Sequence, residues 1–536
     1  MSSLPTSLTL AWARLSTLLL LLQIIVFTVS SLRLLGVADA FVPFIARHYF
    51  DGASIKIFHR HRQLCYPSRR SIIRNITRPP VTINQNSLSL NMQQHGGNNK
   101  SFASFLDSTS SASIADSISN SNYAERKKNV ILGNQAGDAD SIISALTLGY
   151  IMSSISSSDT LQVPIVSISR AEMELRRDAV LLLDLAGICI QTLLYVDDDI
   201  VTNHLLPLSS LPSDSSMNIG ITLVDHNKLR PIFSHLNSLV TEIVDHHKDE
   251  GYHEHVSSEY GKRNIAFENS DATVASTCTL VAERLFESMP DDSLESSIDG
   301  ALGLSLLGVI LLDSINMLPD AKKGTPRDEA AIQQLLKRTD WASLCKTVPS
   351  LIDEATIDKI FPNGRCNMPD RHALFDLLIG AKSDPNFWSK MSAINCFRID
   401  YKKFIVDDTS SIGLSSVLIR MDDLLAKEGF VESMKAFIVS EDLNLFGILG
   451  VTFVNDKTKR ELLLACYDDN VVDSLSQFLL EHPDAAAMDF VEREDCRDYM
   501  QDISIRIRVF RQGNPQGSRK QIAPLILQHV SKKKSL

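Results

Sequence analysis

The chain has 536 residues, of which 44% are hydrophobic, and this length predicts two or three domains with sizeable cores. Its formal net charge of −11 argues against a general nucleic-acid binder, which needs a basic surface, but leaves room for a small anionic ligand in a local basic pocket. The eight cysteines show no CxxC pair and no regular spacing, so neither a zinc site nor a disulfide framework is expected. A reducing compartment fits this cysteine usage best.

The N-terminal part of the chain has the composition of a targeting segment. Leu15–Leu32 is almost uninterruptedly apolar and small residues precede Phe41, so residues 1–40 are predicted to be a signal peptide. Residues 41–125 are rich first in arginine and then in serine and asparagine, which predicts a transit-like segment followed by a disordered linker. We expect no stable membrane span in the mature protein, although an anchor formed by the apolar run remains an alternative.

The junction Ala40-Phe41-Val42-Pro43 resembles the cleavage motif of the plastid-targeting presequences of diatoms and related algae with complex plastids. This resemblance implies delivery to the plastid by a signal peptide plus a transit peptide. The cytoplasm and the secretory pathway are the alternative destinations.

The globular part is predicted to begin near residue 126, with a strand, a polar loop and a helix from Val130 onward. The loop carries Asp138 and Asp140, which could bind a hard divalent cation together. An ordinary loop in which Asp140 caps the helix is the alternative. Strand-like and amphipathic segments then alternate, which predicts a doubly wound α/β sheet, at Leu161–Ile168, Glu172–Leu185 and Ile190–Val196.

Two later segments end in nearly the same tripeptide, Asp225-His226-Asn227 and Asp245-His246-His247. A third apolar run, Leu306–Leu312, is interpreted as another strand, and it ends at Asp313. Because open α/β sheets bind ligands at the carboxyl ends of their strands, we expect these polar groups to lie together. Oxygen donors with an occasional imidazole and no thiolate suit Mn²⁺ or Mg²⁺ better than structural zinc.

Together with Asn134, these motifs resemble the DHH phosphoesterase superfamily, and within it the prune-type exopolyphosphatases, which are related to the family II inorganic pyrophosphatases. Further segments carry the resemblance to about Val530: Ser276–Arg284, Gly324–Asp328, Arg398–Lys402 and Gly513–Gln521. The resemblance implies an α/β fold with a DHH domain over residues 126–345 that contains a mainly parallel, doubly wound sheet. A hinge over residues 346–373 and a smaller α/β DHH-associated, phosphate-binding domain over residues 374–530 would follow, with the active site in the cleft between the domains.

The same resemblance assigns roles to individual residues. The metal ligands for two divalent cations, Mn²⁺ or Mg²⁺ with Co²⁺ possible, would be Asp138, Asp140, Asp225, His246 and Asp313. The catalytic residues would be His247, Asp225 and Asn134, and the substrate-binding residues His247, Lys402, Arg519 and Lys520. Asn134 is a departure from the pyrophosphatases, which have a metal-binding histidine there. This exchange favours polyphosphate over pyrophosphate alone.

The resemblance implies an enzyme, a hydrolase that removes terminal phosphate from short inorganic polyphosphates by means of a hydroxide activated by two metals. Pyrophosphate is a further expected substrate. A cyclic-nucleotide phosphodiesterase is the alternative enzyme, and a non-catalytic, prune-like interaction protein is the alternative outside enzymes. The partner is expected to be a small polyanion and not a nucleic acid, and the oligomeric state is left open.

Overall fold

The structure is a computed structural model that describes residues 100–119, 126–155, 160–207, 218–258, 261–269, 271–289, 297–407, 410–454, 457–496 and 504–533. The predicted signal peptide and nearly all of the predicted transit-like segment lie outside the described residues. Within these ranges, no helix is both long enough and apolar enough to cross a membrane.

A five-stranded parallel sheet organises the first domain, as the sequence predicts. Its strands are β1 (Lys128–Leu132), β2 (Leu161–Ile165), β3 (Ile219–Val224), β4 (Val240–Asp245) and β5 (Arg263–Ile265). The strand order is β2-β1-β3-β4-β5, and Lys128 pairs with Leu161 on one side and with Ile219 on the other. Apolar clusters cover both faces of the sheet, so the polar groups that follow β1, β3 and β4 meet at one edge.

Helices and short strands pack around this sheet. The helices are α1 (Phe102–Ser108), α2 (Ser111–Ser119), α3 (Ala139–Ile155), α4 (Arg177–Leu185), α5 (Thr277–Ser288), α6 (Gly300–Asp313), α7 (Pro326–Arg338), α8 (Glu354–Ile360) and α9 (Arg371–Ser383). The short strands pair as β6 (Phe267–Glu268) with β7 (Asp271–Ala272), and as β8 (Ile298–Asp299) with β9 (Thr339–Asp340). Short 3₁₀ turns lie at Arg170–Leu175, Ile190–Thr192, Pro231–Leu239, Ile315–Met317, Pro319–Ala321 and Trp341–Lys346, and a π-helical turn at Val201–Leu205.

Two predicted strands of this domain are wrong. Leu306–Leu312 lies inside α6, whose residues from Gly300 to Leu312 are all buried. A helix surrounded by protein on every side has no polar face, and therefore its apolar run resembles a buried strand. The segment Ile190–Val196 begins with the 3₁₀ turn Ile190–Thr192, and one isolated bridge joins Tyr195 to Val166.

The predicted disordered linker is wrong for residues 102–119. Phe102, Phe105 and Leu106 of α1 are at most 5% exposed and belong to the main apolar cluster of the first domain. Both phenylalanine rings meet the Tyr150 ring edge-on. The serine-rich composition of this stretch predicts disorder, although the stretch contains a short amphipathic helix whose apolar face packs against the rest of the domain.

The predicted hinge, residues 346–373, is attached to the first domain. Arg365 donates hydrogen bonds to the carbonyl oxygens of Thr347 and Leu185, at 2.5 and 3.0 Å. A disulfide joins Cys345 to Cys366 and closes this segment, a single pairing that the sequence did not predict.

The predicted start of the second domain at residue 374 also differs from the packing of the chain. The side chains of Leu374 and Leu378 in α9 pack in the core of the first domain, because this helix lies against α4 and α6. By packing, the first domain therefore ends near Ser383.

The second domain contains a six-stranded mixed sheet in the order β10-β11-β12-β13-β15-β14. Its strands are β10 (Tyr401–Asp407), β11 (Ser410–Val417), β12 (Leu445–Val454), β13 (Lys457–Cys466), β14 (Phe490–Glu492) and β15 (Arg506–Gln512). Its helices are α10 (Pro385–Lys390), α11 (Ala393–Arg398), α12 (Met421–Leu425), α13 (Phe430–Ser440), α14 (Asp469–Glu481), α15 (Pro483–Ala486) and α16 (Arg519–Lys533). Only β11 and β12 pair in parallel, and a separate apolar cluster covers each face. Two α/β domains with these sheets confirm the predicted fold class.

Candidate active site

The loop between β1 and α3 supplies the first polar groups of the site. Asn134 accepts hydrogen bonds at Oδ1 from the backbone N–H groups of Ala136 and Gly137, at 2.8 and 3.1 Å, which folds the loop tightly. Asp138 accepts a bond of 3.0 Å from the N–H of Ser141 and so caps α3. The alternative in which Asp140 caps this helix is therefore wrong.

The carboxylate of Asp140 is held by the N-terminus of a different helix, α5. It accepts hydrogen bonds from Ser276 Oγ at 2.7 Å, Thr277 N at 2.7 Å and Cys278 N at 2.9 Å. Asp140 is 5% exposed. Burial, and secondarily the nearby charge of Asp138, raises the pKa of Asp140 to about 6, although these hydrogen bonds oppose the rise.

Asp225 lies at the centre of the site, directly after β3. It is 1% exposed, and its φ of 61° places it in the left-handed region, which Asp and Asn tolerate better than most residues. Asn134 Nδ2 donates to one carboxylate oxygen at 2.5 Å, and Thr277 Oγ1 donates to the other at 3.3 Å. Burial and the charges of Asp140 and Asp138 raise the pKa of Asp225 well above its ordinary value.

The two histidines after β4 face Asp225 from the neighbouring strand. His246 Nε2 lies 3.5 Å from Asp225 Oδ1 and 3.9 Å from Asp140 Oδ2, while its Nδ1 lies 3.2 Å from the Val274 carbonyl oxygen. Burial lowers the pKa of His246, which favours the neutral imidazole that binds metals. Asp225, His246 and His247 offer ligand atoms that all lie within 4.8 Å of one another.

Asp245 orients His247, and the sequence analysis did not assign it a role. Its Oδ1 lies 2.9 Å from His247 Nδ1, and its Oδ2 accepts a bond of 2.6 Å from Asn227 Nδ2. Burial alone would raise the pKa of Asp245, but the adjacent His247 holds that pKa below its ordinary value. The sequence pattern could have indicated this role, since Asp245 is the first residue of the Asp-His-His tripeptide.

Asp313 reaches the site from the C-terminus of α6. Its Oδ2 is buried and has no hydrogen-bond partner among the described residues. Burial and the charges of Asp140 and Asp138 raise its pKa well above the ordinary value. An orphaned carboxylate oxygen beside other buried carboxylates and a neutral imidazole is a donor set that fits a divalent cation such as Mn²⁺ or Mg²⁺.

The second domain contributes cations. Lys402 on β10 and Lys520 on α16 are within electrostatic range of Asp225, and Lys520 is also within range of Asp313. Arg519 donates to Asp400, from Nη1 to the carbonyl oxygen and from Nη2 to Oδ1, each at 2.7 Å. The structure therefore brings the two lysines toward the carboxylates, whereas Arg519 is engaged with Asp400.

One further cation was missed by the sequence analysis. Lys382, near the end of α9, lies 3.5 Å from Asp178 Oδ2. Burial would lower its pKa, but Asp178, Asp313 and Asp138 outweigh that effect and raise it. Its partners are distant in sequence, and no local pattern marks it.

The chain is similar to several known proteins. Residues 378–529 match the family described as the DHHA2 domain. The chain is similar to the protein named exopolyphosphatase PRUNE1, with 25% identity over 411 residues to the rat protein and 24% over 410 residues to the human protein; each alignment covers 76% of this chain and 76% of the relative.

Among solved structures, the Methanococcus jannaschii "putative family II inorganic pyrophosphatase" aligns with 75% of this chain and 99% of its own, with a TM-score of 0.46 and 17% identity. The predicted resemblance to prune-type exopolyphosphatases is confirmed at the level of sequence similarity. The resemblance of the leader to plastid presequences stays a prediction.

Proposed function

We propose that this chain, whose residues 378–529 match the DHHA2 domain, hydrolyses the terminal phosphoanhydride bond of short inorganic polyphosphates. The observation that carries the proposal is the convergence of buried Asp140, Asp225 and His246 with Asp313, whose Oδ2 is buried, and with Lys402 and Lys520 within electrostatic range of Asp225. The similarity to proteins named exopolyphosphatase confirms the predicted enzyme class, a hydrolase of phosphorus-containing anhydrides.

In this proposal each residue has a defined part. Asp138, Asp140, Asp225, His246 and Asp313 would hold two divalent cations, which supply Lewis acidity to phosphoryl oxygens and lower the pKa of water. His247, oriented by Asp245, would stabilise or protonate the leaving phosphate. Lys402 and Lys520 would bind the phosphate tail as point charges. Asn134 positions Asp225 through its amide.

The test measures phosphate release from triphosphate, pyrophosphate and cyclic AMP by the full chain with Mn²⁺. Asp225→Ala and Asp138→Ala are expected to lower triphosphate hydrolysis by about 10³-fold or more, because each removes a metal ligand. Asp199→Asn, which alters an exposed side chain just before the π-helical turn, is the matched control and should retain full activity.

Release from cyclic AMP alone would favour the phosphodiesterase alternative. A folded, Mn²⁺-binding chain that hydrolyses none of the three substrates would contradict the proposal and favour a non-catalytic role.

A further inference from the structure

One buried arginine touches both the loop that carries the predicted metal ligands and the second domain. Arg176 is 3% exposed and lies between the 3₁₀ turn Arg170–Leu175 and α4. Its Nε donates to the Gly137 carbonyl oxygen at 3.1 Å, and its Nη2 donates to the carbonyl oxygens of Ala136 at 2.6 Å and Arg398 at 3.1 Å. Its Nη1 is buried without a hydrogen-bond partner among the described residues.

This arrangement is costly for stability. Burial lowers the pKa of Arg176, although Glu172, Asp400 and Asp138 stabilise its charge. A buried donor without a partner is unfavourable, and an apolar side chain of similar volume would avoid that cost. Packing alone therefore does not explain an arginine at this position, whereas its three directed hydrogen bonds do.

The loop between β1 and α3, residues 133–138, is called the metal loop here. Arg176 bonds to its backbone carbonyl groups, and the Asn134 side chain bonds to its backbone N–H groups. Arg176 takes the carbonyl oxygens of Ala136 and Gly137, and Asn134 Oδ1 takes the N–H groups of the same two residues. Asp138 follows directly. With both sides bonded, the direction in which Asp138 and Asn134 present their side chains is fixed.

The third bond, to the Arg398 carbonyl oxygen, joins this loop to the segment Arg398–Lys402 of the second domain, which is called the phosphate-binding segment here. Arg398 ends α11, and the chain continues through Asp400, the partner of Arg519, to Lys402 on β10. A cavity of about 120 Å³ at this junction is lined by Asp138, Arg176 and Asp400, among others. One guanidinium thus spans the two segments that are proposed to bind metal and phosphate.

We propose that Arg176 is a positioning residue that fixes the metal loop relative to the phosphate-binding segment, so that affinity for the divalent cation and for the substrate tail depend on the same side chain. This inference rests on the proposed function. Lysine cannot replace it, because a single ammonium group does not reproduce the planar fork that meets three carbonyl oxygens at once.

The experiment compares Arg176→Lys and Arg176→Met with the wild-type full chain. Mn²⁺ affinity is measured by calorimetry on metal-free protein, and KM and kcat are measured with triphosphate. Displacing groups that support metal ligands typically costs 10–100-fold in metal affinity, so Arg176→Lys should weaken Mn²⁺ binding by about 10-fold. The KM for triphosphate should rise by about 10-fold as well, because a misplacement of about 1 Å can cost up to about 100-fold.

Arg338→Met is the matched control. This arginine ends α7 outside the cavity, with its guanidinium carbon 5.7 Å from the Phe286 ring centroid, and the variant should change both quantities less than about twofold. A lower melting temperature with unchanged Mn²⁺ affinity and KM would overturn the proposal, and so would a change in only one of the two. Unfolding of both Arg176 variants would assign the residue to stability and also overturn it.

If the wild-type chain hydrolyses nothing, the proposed function fails. Calorimetric titration with Mn²⁺ and then with triphosphate still decides the role of Arg176 in that case, because neither titration needs turnover.

Discussion

At the scale of single residues, the dominant feature is the concentration of buried carboxyl groups. Asp140, Asp225 and Asp313 all have raised pKa values, because burial removes water and each group lies near other carboxylates. Ionising all of them without a counter-charge is unfavourable. Cation binding must therefore release protons, and affinity for the cation depends on pH.

The first prediction concerns this pH dependence. The pKa of Asp140 is 3.8 ordinarily and about 6 in the folded chain, so the folded metal-free chain holds the extra proton between these values. Its contribution to stability is present below pH 3.8 and is lost as the pH rises through about 6. Mn²⁺ must displace this proton, and its affinity should therefore fall as the pH drops from 7 to 5.

Calorimetry at pH 5, 6 and 7, in two buffers with different ionisation enthalpies, measures both the affinity and the protons released. An affinity that stays constant over this range, without proton release, would contradict the assignment of raised pKa values to the cation site.

Residues that follow strands were predictable, whereas those that act across the fold were not. Asp225 and His246 were found because a buried strand that ends in Asp-His places both groups at a known edge. The sequence did not single out Arg176, because its bonding partners lie 39, 40 and 222 positions away. Lys382 was not predicted either, because its partner Asp178 is distant in the sequence.

At the scale of elements, two helix N-termini cooperate to place Asp140. The buried Asp328 of α7 accepts hydrogen bonds from the N–H groups of Thr325 and Ala275, at 2.8 and 3.0 Å, and from Thr279 Oγ1 at 2.6 Å. The first bond completes the capping box of α7, and the other two fix the start of α5. That start supplies the donors that hold Asp140.

Asp328→Ala should therefore lower both stability and cation affinity. Leaving several buried donors unpaired is expected to reduce the free energy of unfolding by about 3 kcal/mol. Mn²⁺ affinity should fall by about 10-fold, because the donors to Asp140 shift. Urea denaturation and calorimetry measure the two effects.

The matched control is Asp320→Ala. This residue is exposed, and its removal should change the free energy of unfolding by less than about 0.5 kcal/mol. A loss of stability in Asp328→Ala with unchanged Mn²⁺ affinity would show that α5 keeps its position without this anchor.

Element type was predictable where polar residues mark the start of an element. The polar loop after β1 leads into α3 as predicted, although α3 is buried along most of its length, and Ser276 caps α5 as the helix-start resemblance implies. The prediction of a strand was wrong for α6, since a helix buried on every side shows no 3.6-residue pattern of polar positions. Asp313 was nevertheless assigned to the site, because the end of the apolar run faces the same edge in either structure.

At the scale of the whole molecule, the folded unit begins before the first strand. α1 inserts Phe102, Phe105 and Leu106 into the core, and a fully buried apolar side chain contributes about 1.5–3 kcal/mol. A chain that starts at residue 120 should therefore have a free energy of unfolding about 5 kcal/mol below that of a chain that starts at residue 100.

Urea denaturation of the two truncated chains measures this difference. Equal stabilities would mean that α1 and α2 do not dock in solution and that the linker prediction was right.

We propose that the leader directs the chain to a plastid, on the strength of the apolar run and the Ala40-Phe41 junction. A fusion of residues 1–80 to a fluorescent protein should accumulate in the complex plastid of a diatom. A fusion that lacks residues 1–40 is the control and should remain in the cytosol. Secretion of the full leader fusion would favour the alternative secretory signal.

The orphaned oxygen of Asp313 has a practical consequence for finding the physiological ion. A ligand that binds only the folded chain stabilises it by about 2.7 kcal/mol at a concentration 100 times its dissociation constant. Because the buried carboxylates are unfavourable without a cation, the melting temperature of the chain should rise with each divalent ion that fits. A melting series with Mn²⁺, Mg²⁺, Co²⁺ and Ca²⁺ would therefore rank the ions before any substrate is known.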